Sequence, residues 1–140
     1  GMEVLKCGTS FESELEVLEG AFNGEHDFFF LHYKPADSAG EDGDFDNKVR
    51  RLEEFDNYLD RIQALDPDVL VVCGDHSTPS FLAAHSWHPV PFLIKSTYST
   101  SSHTEFNEKT CSEGELGMIQ AEMLMLTVLA HADKLNRFGA

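Results

Sequence analysis

Hydrophobic positions along the chain repeat in two ways, and each predicts a different element. Phe11, Leu15, Leu18 and Phe22 recur at spacings of four, three and four behind Ser10. That spacing predicts a helix over residues 12–22 with Ser10 as its cap. From Phe45 onward, Val49, Leu52, Phe55, Leu59 and Ile62 also step by threes and fours, with Lys48, Arg50, Arg51, Glu53, Glu54 and Asp60 largely between them. This is the pattern of an amphipathic helix covering a sheet, ended by Asp66-Pro67. Residues 120–135 are apolar almost all round (Ala121, Leu124, Met125, Leu126, Val128, Leu129, Ala132, Leu135), which predicts a largely buried helix. Met118, Met123 and Met125 are read as core filler.

Short apolar runs predict strands at residues 2–6, 27–33 (DFFFLHY), 69–73 (VLVVC) and 91–95 (PFLIK). The second and third are apolar on both pleat faces, as buried central strands are. A short helix is expected over 79–84 and a Ser/Thr-rich loop without readable chemistry over 96–102. Strand, long helix and strand in succession fit a right-handed parallel crossover. The fold class expected is therefore α/β, a mostly parallel sheet flanked by helices, in one unit without internal repeat or domain boundary.

Composition narrows the class. A chain of 140 residues suffices for one core that removes about two thirds of the unfolded surface from water. Its 25 Asp and Glu against 10 Lys and Arg give a formal charge of −15, which repels nucleic acid phosphates and anionic lipid. With 41% apolar residues and 11 Phe the chain should nonetheless fold. Cys7, Cys73 and Cys111 are odd in number and widely spaced, and Cys73 lies in an apolar run as a buried free thiol would, so a cytoplasmic protein is expected. No apolar stretch has the length of a membrane span, no basic segment leads into a signal core, and Gly1 before Met2 reads as a cloning scar.

Candidate chemistry gathers after the strands, where an open parallel sheet places its functional crevice. The run 27–33 is followed by Lys34, Asp37, Glu41, Asp42 and Asp44; the run 69–73 by Gly74, Asp75 and His76, and then by His85-Ser86-Trp87-His88. Asp, Glu and neutral His are the oxygen and nitrogen donors of divalent metals. Two such ions about 3.5–4 Å apart could clamp a phosphoryl group. Each residue also has a plainer role. Asp75 could cap a helix near Pro79, Asp42 and Asp44 favour the positive end of the long helix, and His26, His103 and His131 are read as hydrogen-bonding residues. His32, within a run read as buried, is expected to be packed and hydrogen-bonded. The convergence of Asp37, Glu41, Asp75, His76 and His85 on one edge is what favours a metal site.

These same residues resemble the archaeal-type, cofactor-independent phosphoglycerate mutases of the alkaline phosphatase superfamily. The resemblance is carried by HYKPADSAGEDGDF (residues 32–45), DPDVLVVCGDHSTP (66–79) and HSWHPVP (85–91), with a weaker echo in LNRFGA (135–140), and it extends from about Asp27 onward. It implies part of an alkaline-phosphatase-like three-layer domain with two divalent metal ions. One ion would be held by Asp37, Glu41 and His85, the other by Asp75 and His76. The wider superfamily usually has His at the position of Glu41; a carboxylate there favours manganese or magnesium, with zinc and cobalt the further candidates. Lys34 and His88 are candidates to touch the phosphate or carboxylate of a phosphoglycerate.

Family members are considerably longer, and an N-terminal segment supplies a further Asp ligand and the Ser nucleophile that becomes phosphoserine between 3-phosphoglycerate and 2-phosphoglycerate. No catalytic nucleophile is assigned in this chain. Ser77 is read as a helix cap near Pro79. The expectation is the C-terminal, metal-binding portion of a mutase, inactive alone, working with the missing N-terminal part and prone to self-association through uncovered apolar surface. The rival readings are another metal-dependent phosphatase or phosphotransferase of the superfamily, and a non-catalytic acidic binding module.

Overall fold

Contacts divide the chain into two units in a computed structural model that describes residues 1–100 and 104–135: a helical unit of Gly1–Asp66 with Thr78–Ala84, and a second unit of Pro67–Ser77 with the described residues from His85 onward. His103 and all of LNRFGA beyond Leu135 lie outside the described residues, as do the last two positions of the expected loop.

The helical unit contains three helices, α1 (Phe11–Ala21), α2 (Pro35–Glu41) and α3 (Phe45–Ala64). The expected Ser10 cap forms, its side chain accepting from Ser13 N at the start of α1; Asp44, expected only to favour the positive end of the long helix, caps α3 by accepting from Asn47 N. Leu15 and Leu18 are the buried face of α1. Phe11 packs its ring against Tyr33, Phe55 and Tyr58 at centroid distances of 5.0, 5.8 and 5.2 Å. Arg61 of α3 reaches back to α1, its Nε donating to Glu19 at 2.8 Å and its Nη1 to Glu12. Phe55 and Tyr58 of α3 therefore pack on α1 and the Tyr33 segment, while Phe45 and Leu52 stay 65% and 51% exposed; the unit holds no strand among the described residues, contrary to the sheet expected there.

Two expected strands do not form. Residues 2–6 are irregular, with Val4 88% exposed, and residues 27–33 are extended without a ladder. A strand needs a neighbour for its backbone groups, and the helical unit offers none among the described residues. The alternation survives in another form. Phe29, Leu31 and Tyr33 turn inward, with Phe29 stacked on Phe22 at 5.7 Å, whereas Phe28, Phe30 and His32 face out. His32 is thus exposed beside Phe30 and not packed as expected. Residues 35–41, which follow that segment, form α2 with Pro35 at its first turn, where proline is favoured.

The second unit is built on β1 (Val69–Cys73) and β2 (Phe92–Ser96), with α4 (Glu108–Ser112) and α5 (Glu122–His131). The α/β class stands, but β1 and β2 pair antiparallel, from Val69 opposite Ser96 to Cys73 opposite Phe92. The reason lies in the connection. Ser77 and Ser86 form a further antiparallel bridge, Ser86 N donating to Ser77 O at 2.8 Å, so residues 74–91 fold back as a long hairpin and not as a crossover. Residues 79–84 form consecutive turns, Leu82 N to Pro79 O and Ala83 N to Ser80 O, in place of the expected helix. Helix α5 packs on β1 but is only half-buried, with Met125 46% exposed. Cys73 stands at the exposed end of β1, not in a core. His131 keeps its expected hydrogen bond, its Nδ1 lying 2.7 Å from Ser96 Oγ.

Tyr33 gives the helical unit a pH-dependent element. Its hydroxyl donates to Glu54 Oε2 at 3.0 Å, and Arg51 Nη1 donates to the same oxygen at 2.8 Å. Desolvation, then the Glu54 hydrogen bond and charge, push the phenol up to about 12. A group that holds its proton more tightly when folded contributes stability below its unfolded pKa of about 10 and loses it as pH rises through the folded value. The urea midpoint is therefore expected to fall between pH 10 and 12, and Tyr33→Phe to flatten that fall; an unchanged slope in the variant would remove Tyr33 from the account.

Candidate metal centre

In the second unit the hairpin brings the imidazoles together. If Ser77 faces Ser86, the register places His76 opposite Trp87 and His85 diagonally from His76 on the same face. The side chains follow that geometry, with ring centroids 3.9 Å apart and planes inclined at 35°. Asp75 joins them. Its Oδ1 accepts from His76 N at 2.9 Å, and its Oδ2 lies 3.4 Å from His76 Nε2. The helix that Asp75 and Ser77 could have capped does not form, so Asp75 turns to its own neighbour and Ser77 enters the bridge. One turn of hairpin thus presents two imidazoles and a carboxylate, a donor set suited to a divalent cation.

His88 turns elsewhere. Its Nδ1 lies 2.8 Å from Ser86 Oγ, and its ring stacks on the exposed Trp87 at 4.5 Å. Cys73 is a further potential donor at the end of β1. Burial, with the charge of Asp75 adding, pushes its thiol up.

In the helical unit Asp37 lies in the first turn of α2, and both its oxygens are engaged. Lys34 Nζ donates to Oδ2 at 2.5 Å, and Thr78 Oγ1 donates to Oδ1 at 2.6 Å. The carboxylate is thus oriented by an ammonium on one side and a hydroxyl on the other, both charge-assisted hydrogen bonds. Glu41 follows Asp37 by four residues on the same helix, hence on the same side, and is exposed.

Thr78 is 4% exposed and is also gripped from behind. Lys48 Nζ of α3 donates to its carbonyl, and Gly40 of α2 lies against it. Sequence reading passed over both residues. Lys48 is one of the polar residues between the apolar positions of α3, and nothing in GDHSTP marks the threonine as the partner of a carboxylate 41 residues earlier. The available signal was Gly40 inside a helical segment, where glycine costs stability unless something approaches closely.

Comparison with known proteins adds the family. The Metalloenzyme superfamily matches residues 4–131. Proteins named "Probable 2,3-bisphosphoglycerate-independent phosphoglycerate mutase" are similar over the whole chain, at 50% identity in Thermotoga neapolitana and 46% in Aquifex aeolicus and Thermus thermophilus. The chain spans about a third of these relatives, 35% of each. The structure of the PH0037 protein from Pyrococcus horikoshii superposes with a TM-score of 0.79 at 31% identity, covering 92% of this chain and 39% of that one. An α/β chain that presents imidazoles and carboxylates at the ends of its elements is of the class that uses divalent metals. This chain belongs to the Metalloenzyme superfamily.

A methyl group at Gly40 would stand 2.5 Å from Thr78 O and 3.0 Å from Lys48 Nζ. Gly40→Ala gains about 1 kcal/mol of helix propensity, yet overpacking costs about 1–3 kcal/mol or more where backbone must move. The expected net result is a loss of about 1–2 kcal/mol in urea unfolding; a variant more stable than the parent would show that α2 yields freely.

Proposed function

We propose that this chain is the metal-binding C-terminal part of a 2,3-bisphosphoglycerate-independent phosphoglycerate mutase, its two units forming one phosphatase-like domain with the rest of the longer protein. The observation that carries this reading is the 46–50% identity to such relatives across the entire chain. Asp37, Glu41 and His85 would hold one divalent ion, Asp75 and His76 the other. The His76–His85 pair supports this, as does the hydrogen bond from Thr78 to Asp37, because Thr78 follows His76 by two residues along the chain. The carboxylate-rich set favours manganese or magnesium, with zinc and cobalt also compatible with the imidazoles.

When bound, such ions supply positive charge to the transferring phosphoryl group. The chain's own residues do the rest. Asp37 keeps its orientation through Thr78. Lys34, whose side chain is 57% exposed, has the reach to exchange Asp37 for a substrate phosphate or carboxylate, and His88 offers an imidazole on the same hairpin as His85. The nucleophile and the remaining ligand come from the part of the longer protein that this chain does not span. Glycolysis is the corresponding setting and the cytoplasm the location. Among the described residues no helix is long and apolar enough to cross a membrane. The charge of −15 opposes association with nucleic acid.

The test joins this chain to the other two thirds of the Thermotoga neapolitana relative and follows conversion of 3-phosphoglycerate to 2-phosphoglycerate with manganese. The joined protein is expected to be active, and His85→Ala to lower its rate at least 100-fold and to remove manganese uptake measured by calorimetry. Release of inorganic phosphate in place of 2-phosphoglycerate would assign a phosphatase, and unaltered activity in the variant would remove His85 from the site.

Alone, the chain is expected to self-associate. Phe28, Phe30, Phe45 and Leu52 of the helical unit are 45%, 70%, 65% and 51% exposed, more apolar surface than a monomer usually shows to water. Light scattering should give a mass that rises with concentration; a constant monomer mass would contradict this.

A further inference from the structure

The helical unit contains one polar side chain whose burial the metal-ligand assignments do not account for. Thr78 is 4% exposed, and its hydroxyl donates to Asp37 Oδ1 at 2.6 Å. Placing a hydroxyl away from water is unfavourable unless its hydrogen bond is good, and a bond to a carboxylate is among the stronger ones. The backbone of Thr78 is held as firmly as its side chain. Lys48 Nζ of α3 donates to the Thr78 carbonyl, and Gly40 of α2 closes on the same carbonyl so tightly that a Cβ there would stand 2.5 Å away. Two helices therefore fix the position of one hydroxyl, and that hydroxyl fixes one oxygen of Asp37.

We infer that Thr78 is the positioning residue for Asp37, and that Lys48 and Gly40 serve to hold Thr78 in place. The inference rests on the reading of Asp37 as a metal ligand. Its physical content is rotational. A carboxylate on a short side chain turns about its terminal bond with little preference, and each orientation it samples away from the ion costs affinity. A donor to Oδ1 removes that freedom before the ion arrives and leaves Oδ2, now paired with the exposed Lys34, as the oxygen to be exchanged. Partners of this kind change metal affinity by about 10–100-fold when removed.

The experiment is a manganese titration of the whole chain by calorimetry, with circular dichroism and thermal melts to confirm folding of each variant. Thr78→Val keeps the shape and removes the hydroxyl; it is expected to weaken manganese binding about 10–100-fold. Thr78→Ser restores the hydroxyl and is expected to bind within about threefold of the parent, an outcome that a purely structural role for the threonine methyl would not give. Lys48→Met, which frees the Thr78 carbonyl, is expected to fall between the two. Parental affinity in a folded Thr78→Val would overturn the positioning role while leaving Asp37 a ligand. A parent chain that takes up no manganese would overturn both the ligand reading and the inference.

Discussion

The antiparallel closure of residues 74–91 is the constraint on which the candidate site depends. A parallel pair would have sent the chain away through a crossover of a dozen residues or more. Here β1 continues past Cys73 into a second arm that returns beside it, and the Ser77–Ser86 bridge pairs the arms again beyond the strands, with two extra residues on the returning arm. Period-two alternation then does the rest, because residues diagonal across an antiparallel pair share a face. His76 and His85, nine residues apart, become ring neighbours at 3.9 Å without any special packing. A one-residue slip of this bridge would turn one of the imidazoles to the other face.

The same segment serves the helical unit. The chain leaves the second unit at Ser77, gives residues 78–84 to the helices, and returns at His85. Within the helical unit those residues are not a passive link, since Thr78 is among its best-buried polar groups and is held by α2 and α3 together. Gly40 is the sequence cost of this arrangement. A helix gives up intrinsic stability at that position so that a backbone carbonyl can lie against it. Ala83, at a φ of +47°, is a departure from easy backbone geometry within residues 78–84.

Local chemistry was legible in the sequence wherever one interaction decides the outcome. Ser10 caps its helix, Asp44 stands at the positive end of the long one, the three-four spacing from Phe45 to Ile62 gives α3, and β-branched residues give β1. The misread elements are those whose state depends on a partner distant in sequence. Residues 27–33 have the composition of a central strand, but among the described residues no strand pairs with them, and so only Phe29, Leu31 and Tyr33 turn inward. The direction of the β1–β2 pairing follows from a bridge between two serines, residues with no pattern of their own. Motif residues were found because ligand types cluster in sequence. Thr78 and Lys48 were not, because a hydrogen bond across 41 residues and another across 30 leave no local trace.

Charge gives the arrangement its functional sense. A chain with a formal charge of −15 is a poor host for a phosphorylated carboxylic acid, since both repel at any distance the Debye length allows. Such a substrate can be held only where the local sign is reversed. The proposed ligands reverse it by concentrating negative charge further: carboxylates and imidazoles on short rigid elements draw in divalent cations whose charge exceeds that of any side chain nearby. Lys34 shows the principle with the chain's own groups, an ammonium drawn onto Asp37 at 2.5 Å. Under the proposed function, the chain's acidity would thus become the means of attracting cations, and those cations would allow an acidic surface to receive an anionic substrate.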